Sequence, residues 1–164
     1  MKTAVVATGY VEIATAVGLA EQGHDILLVE QEPERLSALG DGRIPFHEPG
    51  LPEAHATQHA VDRIVPSTAN PGDGLGLMVI SIGTPIEETG TTDVSQVETA
   101  LGHAGPAIAA GAVCVIRSTV PVGSPARIEN RPAVVPERFF VAPEFLRKGR
   151  LLEDIRTRTR AEPT

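Results

Sequence analysis

Residues 3–30, TAVVATGYVEIATAVGLAEQGHDILLVE, constrain the fold of everything that follows. The adjacent valines Val5 and Val6 mark an apolar strand, and a turn around Gly9 opens a helical stretch from Tyr10 to Gln22. A second apolar strand, Ile26 to Val29, ends on an acid, Glu30. Two strands joined through a helix run parallel, because the crossover returns the chain to the same end of the sheet. Such a unit cannot stand alone. It requires further parallel strands and helices covering both faces.

The rest of the chain supplies them. Apolar β-branched runs recur as VVA (5–7), ILLV (26–29), LMVISI (77–82), VCVI (113–116) and FFVA (139–142). Helical stretches at 10–22, 32–39, 51–60 and 94–110 separate most of them, and Pro49-Gly50 reads as a turn into the third. The segment 61–73 is weaker, with Arg63 to Val65 a short candidate strand. Alternating strands and helices predict an α/β fold: a doubly wound parallel sheet in three α/β/α layers, strand order 3-2-1-4-5-6. Beyond Leu152 the apolar period fades into IRTRTRAEPT. The expectation is therefore one domain over 1–154 and a frayed polar tail over 155–164.

Charge and composition exclude several function classes. A formal charge of −7 argues against nucleic acid and anionic membrane surfaces, which both call for a basic face. Aromatic residues make up 3% of the chain, too few for a base-stacking platform. No apolar run approaches the roughly 18 residues of a membrane span, and the first residues lack secretory-signal architecture. A single cysteine excludes an internal disulfide and fits a cytoplasmic setting. That residue, Cys114, lies inside VCVI and is expected to be a buried hydrophobe, not a nucleophile. His55 and His59 share a helix face without a third ligand, so no metal site is expected. No protein partner can be named from these residues.

The opening unit has the spacing of a dinucleotide-binding fingerprint. Its glycines make a tight turn and admit a diphosphate to the helix N-terminus, while a carboxylate about 20 residues on accepts the ribose hydroxyls. Glu30 stands in that last position and disfavours an extra ribose phosphate by repulsion. The three glycine positions, however, hold Ala7, Gly9 and Glu12. Ala7 adds a methyl where the turn is tight. Glu12 adds bulk and negative charge in the first helical turn, where a loss of about one or two decades in dinucleotide affinity is expected.

Five segments carry a more specific message: TGYV (8–11), PFHEPGL (45–51), SIGTP (81–85), STVPVGS (118–124) and APEFLRKG (142–149). In order and spacing they resemble the N-terminal domain of the UDP-glucose/GDP-mannose dehydrogenase family, over about residues 2–154. The resemblance implies a Rossmann-like fold with NAD as cofactor, contacted by Gly9, Tyr10, Val11, Glu30, Arg35, Gly83, Thr84, Pro85, Ser118 and Thr119. It implies that Thr119 also holds a catalytic water and that Glu144 assists acid–base chemistry. It further implies that Glu144, Phe145, Leu146 and Arg147 meet the sugar nucleotide. On the residues alone, Thr84 and Thr119 suit loop or helix caps, Glu144 a first-turn acid and Arg35 a solvated helix face.

This sequence also departs from the family pattern. Arg117 stands for a usual lysine, Ala142 for an asparagine and Lys148 for a frequent glutamate. The family's two-step oxidation runs through a cysteine thioester in a C-terminal domain, and the resemblance reaches neither that domain nor the central one. The expectation is an NAD-binding domain of a UDP-glucose-type 6-dehydrogenase that does not turn over alone and meets a UDP-sugar only when a second domain is supplied. The alternative is a degenerate stand-alone binding module or a truncated, inactive remnant.

Overall fold

A computed structural model describes residues 1–68, 74–87, 92–121 and 135–158. The described elements are β1 (Lys2–Val6), α1 (Tyr10–Glu21), β2 (Asp25–Val29), α2 (Pro33–Gly40), α3 (Leu51–Ala60), β3 (Ile64–Ser67), β4 (Leu77–Ile80), α4 (Ser95–Ala109), β5 (Val113–Ile116), a 3-10 turn (Pro136–Arg138), β6 (Phe139–Val141) and α5 (Leu151–Arg158). All strand pairs are parallel and the order is β3-β2-β1-β4-β5-β6, as the sequence predicts.

The twofold alternation of the strands builds two cores. Ala4, Met78, Ile80, Cys114, Ile116 and Phe139 face one side and pack with Leu101, Ala104 and Ile108 of α4. Val5, Ile26, Leu28, Ile64 and Val79 face the other and pack with α1, with Leu51 and Ala54 of α3, and with α5. Helix α1 buries Ile13, Ala14, Ala16, Val17, Gly18 and Ala20, so its wide apolar surface is enclosed.

Two strands are bounded differently from the sequence expectation, while the turn into α3 falls where it is expected. β4 ends at Ile80, two residues early, and Ser81 to Pro85 leave the ladder as a loop. The weak third strand is real and runs over Ile64–Ser67. It contains Pro66, tolerated because β3 is an edge strand with one unpaired side. Gly50 caps α3 with φ +72°, which makes the Pro49-Gly50 turn a backbone requirement.

The larger correction concerns the expected tail. Residues 151–158 form helix α5, with Leu151, Leu152 and Ile155 buried. Ile155 occupies the notch left by Gly18 of α1, where a Cβ would collide with its Cγ2 atom. One short apolar stripe, 151, 152 and 155, holds the helix, too brief to register as a period. Residues 159–164, like 122–124 of the STVPVGS segment and 69–73 of the weak segment, lie outside the described residues.

Candidate functional site

Strands β1 and β4 are neighbours, yet the chain leaves them toward opposite halves of the sheet. Such a switch point opens a crevice beyond the strand C-terminal ends. Here it is a cavity of about 560 Å³ whose lining includes Gly9, Glu12, Glu30, Thr84, Thr119 and Glu144. Tyr10, Val11, Arg35, Gly83 and Ser118 also border it. Four separate loops, after β1, β4, β5 and β6, and the end of β2 thus meet at one point.

The turn after β1 is strained. Ala7 has φ +81°, a left-handed backbone that glycine adopts freely and alanine does not. Its N–H donates to the Val29 carbonyl at 3.0 Å, which holds the turn against β2. The methyl therefore carries a backbone cost in addition to its bulk.

Gly9 caps α1, and its carbonyl accepts the Ile13 N–H at 3.1 Å. Glu12 lies three residues on. Its side chain folds back, so that a Cβ at Gly9 would collide with Oε2 of Glu12. Only 6% of Glu12 is exposed. Burial raises its carboxyl above the ordinary range, partly offset by the Glu12 N–H, the Ser81 hydroxyl and the Gly9 N–H, while the Glu144 charge adds to the rise. The carboxylate sits where the fingerprint reserves room for a diphosphate.

Glu30 is satisfied from several directions. Oε1 accepts the N–H groups of Gln31 at 2.6 Å and Glu32 at 2.8 Å, and Oε2 accepts the Thr8 hydroxyl. Burial alone would raise this carboxyl; the Glu32, Thr8 and Gln31 donors, with Arg35, hold it below the usual range. A carboxylate has about four acceptor positions, so three are already in use. Arg35 itself pairs with Glu32 at 2.9 Å on a half-exposed helix face while bordering the cavity.

The loops after β4 and β5 are laced together. The Thr84 hydroxyl donates to the Thr119 carbonyl at 2.8 Å, and the Ser118 hydroxyl donates to the Ile82 carbonyl at 2.7 Å. On the far side Glu144 Oε2 accepts the Leu146 N–H at 2.5 Å. Tyr10 packs against Phe46 with the rings tilted 39° and their centroids 4.1 Å apart, and the Lys148 ammonium lies 4.9 Å from the centre of the Tyr10 ring.

Four residues named from sequence do not border this cavity: Pro85, Phe145, Leu146 and Arg147. The Pro85 carbonyl accepts the Asp93 N–H at 2.8 Å. Phe145 is 75% exposed, Leu146 packs against the core on the α1 side, and Arg147 is gripped by Asp154 of α5 at 2.5 Å. Sequence reasoning missed Thr8, Ser81 and Gln96, which do border it. The first two flank named motif residues, whereas Gln96 arrives from α4 and carries no local signal. A neighbouring cavity of about 530 Å³ shares Ala7, Glu30, Ile82 and Gln96 and extends over Met78 and Ala100 to His103.

Cys114 is enclosed within β5, and burial pushes its thiol up to about 12, far from a thiolate nucleophile at neutral pH. His55 and His59 share a face of α3; three of their four ring nitrogens are directed at carbonyls, and His55 Nε2 is buried without a hydrogen-bond partner. His55 Nδ1 lies 3.3 Å from the carbonyl of Gly42, and His59 lies 3.1 Å from those of both Ile64 and Gly40.

The UDP-glucose/GDP-mannose dehydrogenase family, NAD binding domain, matches residues 1–161. The chain belongs to this family. As an NAD-binding domain of the UDP-glucose/GDP-mannose dehydrogenases, it is 35% identical to the UDP-glucose 6-dehydrogenase of Pseudomonas aeruginosa, covering 95% of this chain and 37% of that enzyme. It is 30% identical to UDP-glucose 6-dehydrogenase TuaD of Bacillus subtilis, covering 98% of this chain and 36% of that protein. Among solved structures, a UDP-glucose dehydrogenase from Pyrobaculum islandicum superposes with a TM-score of 0.78 at 32% identity, covering 93% of this chain and 38% of that one. GDP-mannose dehydrogenase from Pseudomonas aeruginosa, solved as a ternary complex, gives 0.80 at 26% identity, covering 94% and 38%. The domain thus spans somewhat over a third of the length of the relatives it matches. Among the described residues, no helix is long and apolar enough to cross a membrane.

Proposed function

We propose that this domain supplies the NAD site of a nucleotide-sugar 6-dehydrogenase of the UDP-glucose type, in a cytoplasmic setting, and that it needs a second domain to bind the sugar nucleotide and turn over. The observation that carries this reading is the convergence of Gly9, Glu30, Thr84 and Thr119 on one cavity at the sheet's switch point. Glu30 accepts an adenosine ribose hydroxyl through its remaining lone pair, and Thr8 releases Oε2 if both hydroxyls bind. Bound NAD supplies the hydride acceptor. Tyr10, Val11, Gly83, Pro85 and Ser118 border or shape the cofactor's path, and Arg35 guards its rim. Thr119 orients water, and Glu144 moves a proton at the reacting end. Phe145, Leu146 and Arg147 serve the sugar nucleotide, with Arg147 fixed by Asp154.

The fit is uneven. The ribose end suits NAD, while the diphosphate position is filled by Glu12. That observation favours a second reading, a stand-alone module that binds nucleotide weakly without catalysis. Calorimetric titration of the chain with NAD, NADH and UDP-glucose separates the two. The first reading expects NAD binding, no UDP-glucose binding, and no NADH absorbance from NAD plus UDP-glucose until a domain bearing a cysteine nucleophile is added. Steady turnover by the chain alone, unchanged in Cys114→Ser, overturns the need for a second domain.

A further inference from the structure

We propose that Glu12 is a resident anion of the dinucleotide site: its carboxylate occupies the diphosphate position at the start of α1, and NAD enters with neutralisation of that carboxylate by a proton. This rests on the NAD reading above and goes further by making cofactor binding a proton-linked exchange.

Two geometric observations carry it. The carboxylate lies over the Cα of Gly9, in the space that the missing Cβ leaves. It is almost wholly buried yet borders the cavity that Gly83, Thr84 and Ser118 also line. The Gly9 and Glu12 N–H groups and the Ser81 hydroxyl favour its charged form, and two of these are amides of a helix N-terminus that would otherwise face a phosphate. An arriving diphosphate therefore meets a formal negative charge where it needs donors.

Other charged and titratable groups border the same cavity: Tyr10 on α1, Glu30 after β2, Arg35 on α2, Arg117 after β5 and Glu144 after β6. Glu144 repels the Glu12 charge, as would the diphosphate. Burial already favours the protonated form of Glu12. A neutral Glu12 can rotate aside or donate a hydrogen bond to a phosphate oxygen, which the carboxylate cannot do.

The test is NAD titration of the 164-residue chain at pH 6.0 and 8.0, in two buffers of different ionisation enthalpy so that protons are counted directly. The parent is expected to bind about tenfold more tightly at pH 6.0 and to take up close to one proton per NAD at pH 8.0. Glu12→Gln keeps His103 and every other titrating group; it should bind with less than a twofold pH change and no uptake. Glu12→Gly should be equally flat and at least about tenfold tighter than the parent at pH 8.0. A parent affinity that is flat across this range, or a pH dependence that survives in Glu12→Gln, overturns the proposal and leaves the NAD reading standing. Failure of parent and both folded variants to bind NAD at either pH overturns the NAD reading itself.

Discussion

Oε1 of Glu48 accepts the N–H of Leu151 at 3.1 Å, joining the loop before α3 to the first turn of α5 across 103 positions of sequence. Glu48 is 1% exposed, so its carboxylate is committed to this helix start. The same loop returns Phe46 to Tyr10 at the cavity rim. The PFHEPGL segment is thus a clasp between the rear helix and the ligand end of α1.

Removing the clasp leaves a buried N–H without its acceptor. Glu48→Ala is expected to cost about 1–2 kcal/mol and to lower the melting temperature by a few degrees. Glu48→Gln keeps an acceptor and should cost less than half as much. Urea denaturation of the three proteins decides it; equal midpoints would mean that α5 needs no cap.

Ala7→Gly should raise stability by up to about 1 kcal/mol. Relief of the left-handed backbone, about 1–2 kcal/mol, outweighs the extra freedom that glycine gives the unfolded chain. Most glycine substitutions destabilise, so the sign is diagnostic. A fall in the denaturation midpoint would show that the positive φ at Ala7 is not strained.

The two carboxylates at the cavity should shape acid stability in opposite ways. Glu30 is held below its ordinary range, so it stabilises the fold above the unfolded value near 4.5, and this contribution disappears as pH falls through the folded value. Glu12 is raised, so its ionisation costs stability as pH climbs from 4.5 through its folded value and leaves a constant penalty above that. Denaturation curves between pH 4 and 8 should show Glu12→Gln gaining relative to the parent as pH rises. Glu30→Gln should lose relative to the parent over the same rise. Parallel curves for all three proteins would contradict both shifts.

Asp154 is expected to act on stability and not on NAD affinity. Its side chain is 9% exposed and pairs twice with the Arg147 guanidinium, while also accepting the Arg147 N–H at 2.9 Å. Asp154→Ala should cost about 1–3 kcal/mol through the lost N–H acceptor and ion pair, with NAD affinity changed less than twofold. A matching loss of NAD affinity would place α5 in communication with the cavity.

The strand order and the corners of the site were legible because both rest on local patterns. Near-continuous apolar β-branched runs mark the strands, and the ends of β2, β4 and β5 deliver Glu30, Thr84 and Thr119 to the crevice. What sequence did not reveal depends on where side chains and short helices turn. Glu12 was suspect by position, but only coordinates show it folded back over Gly9. Helix α5 is held by a notch at Gly18, a residue that in sequence looks like a mild defect in α1. The motif points Arg147 toward a ligand, and only the coordinates show its guanidinium held by Asp154, seven residues on.

The lacing of the loops after β4 and β5 dictates what kind of atom the crevice welcomes. The hydrogens of the Thr84 and Ser118 hydroxyls are spent on the carbonyls of Thr119 and Ile82. A hydroxyl that has given its hydrogen away still offers two lone pairs. This wall of the crevice therefore presents acceptors, suited to the O–H of a ribose or the N–H of an amide and indifferent to phosphate oxygens. A ligand that meets it through donors keeps both loops tied; one that meets it through acceptors must first untie them.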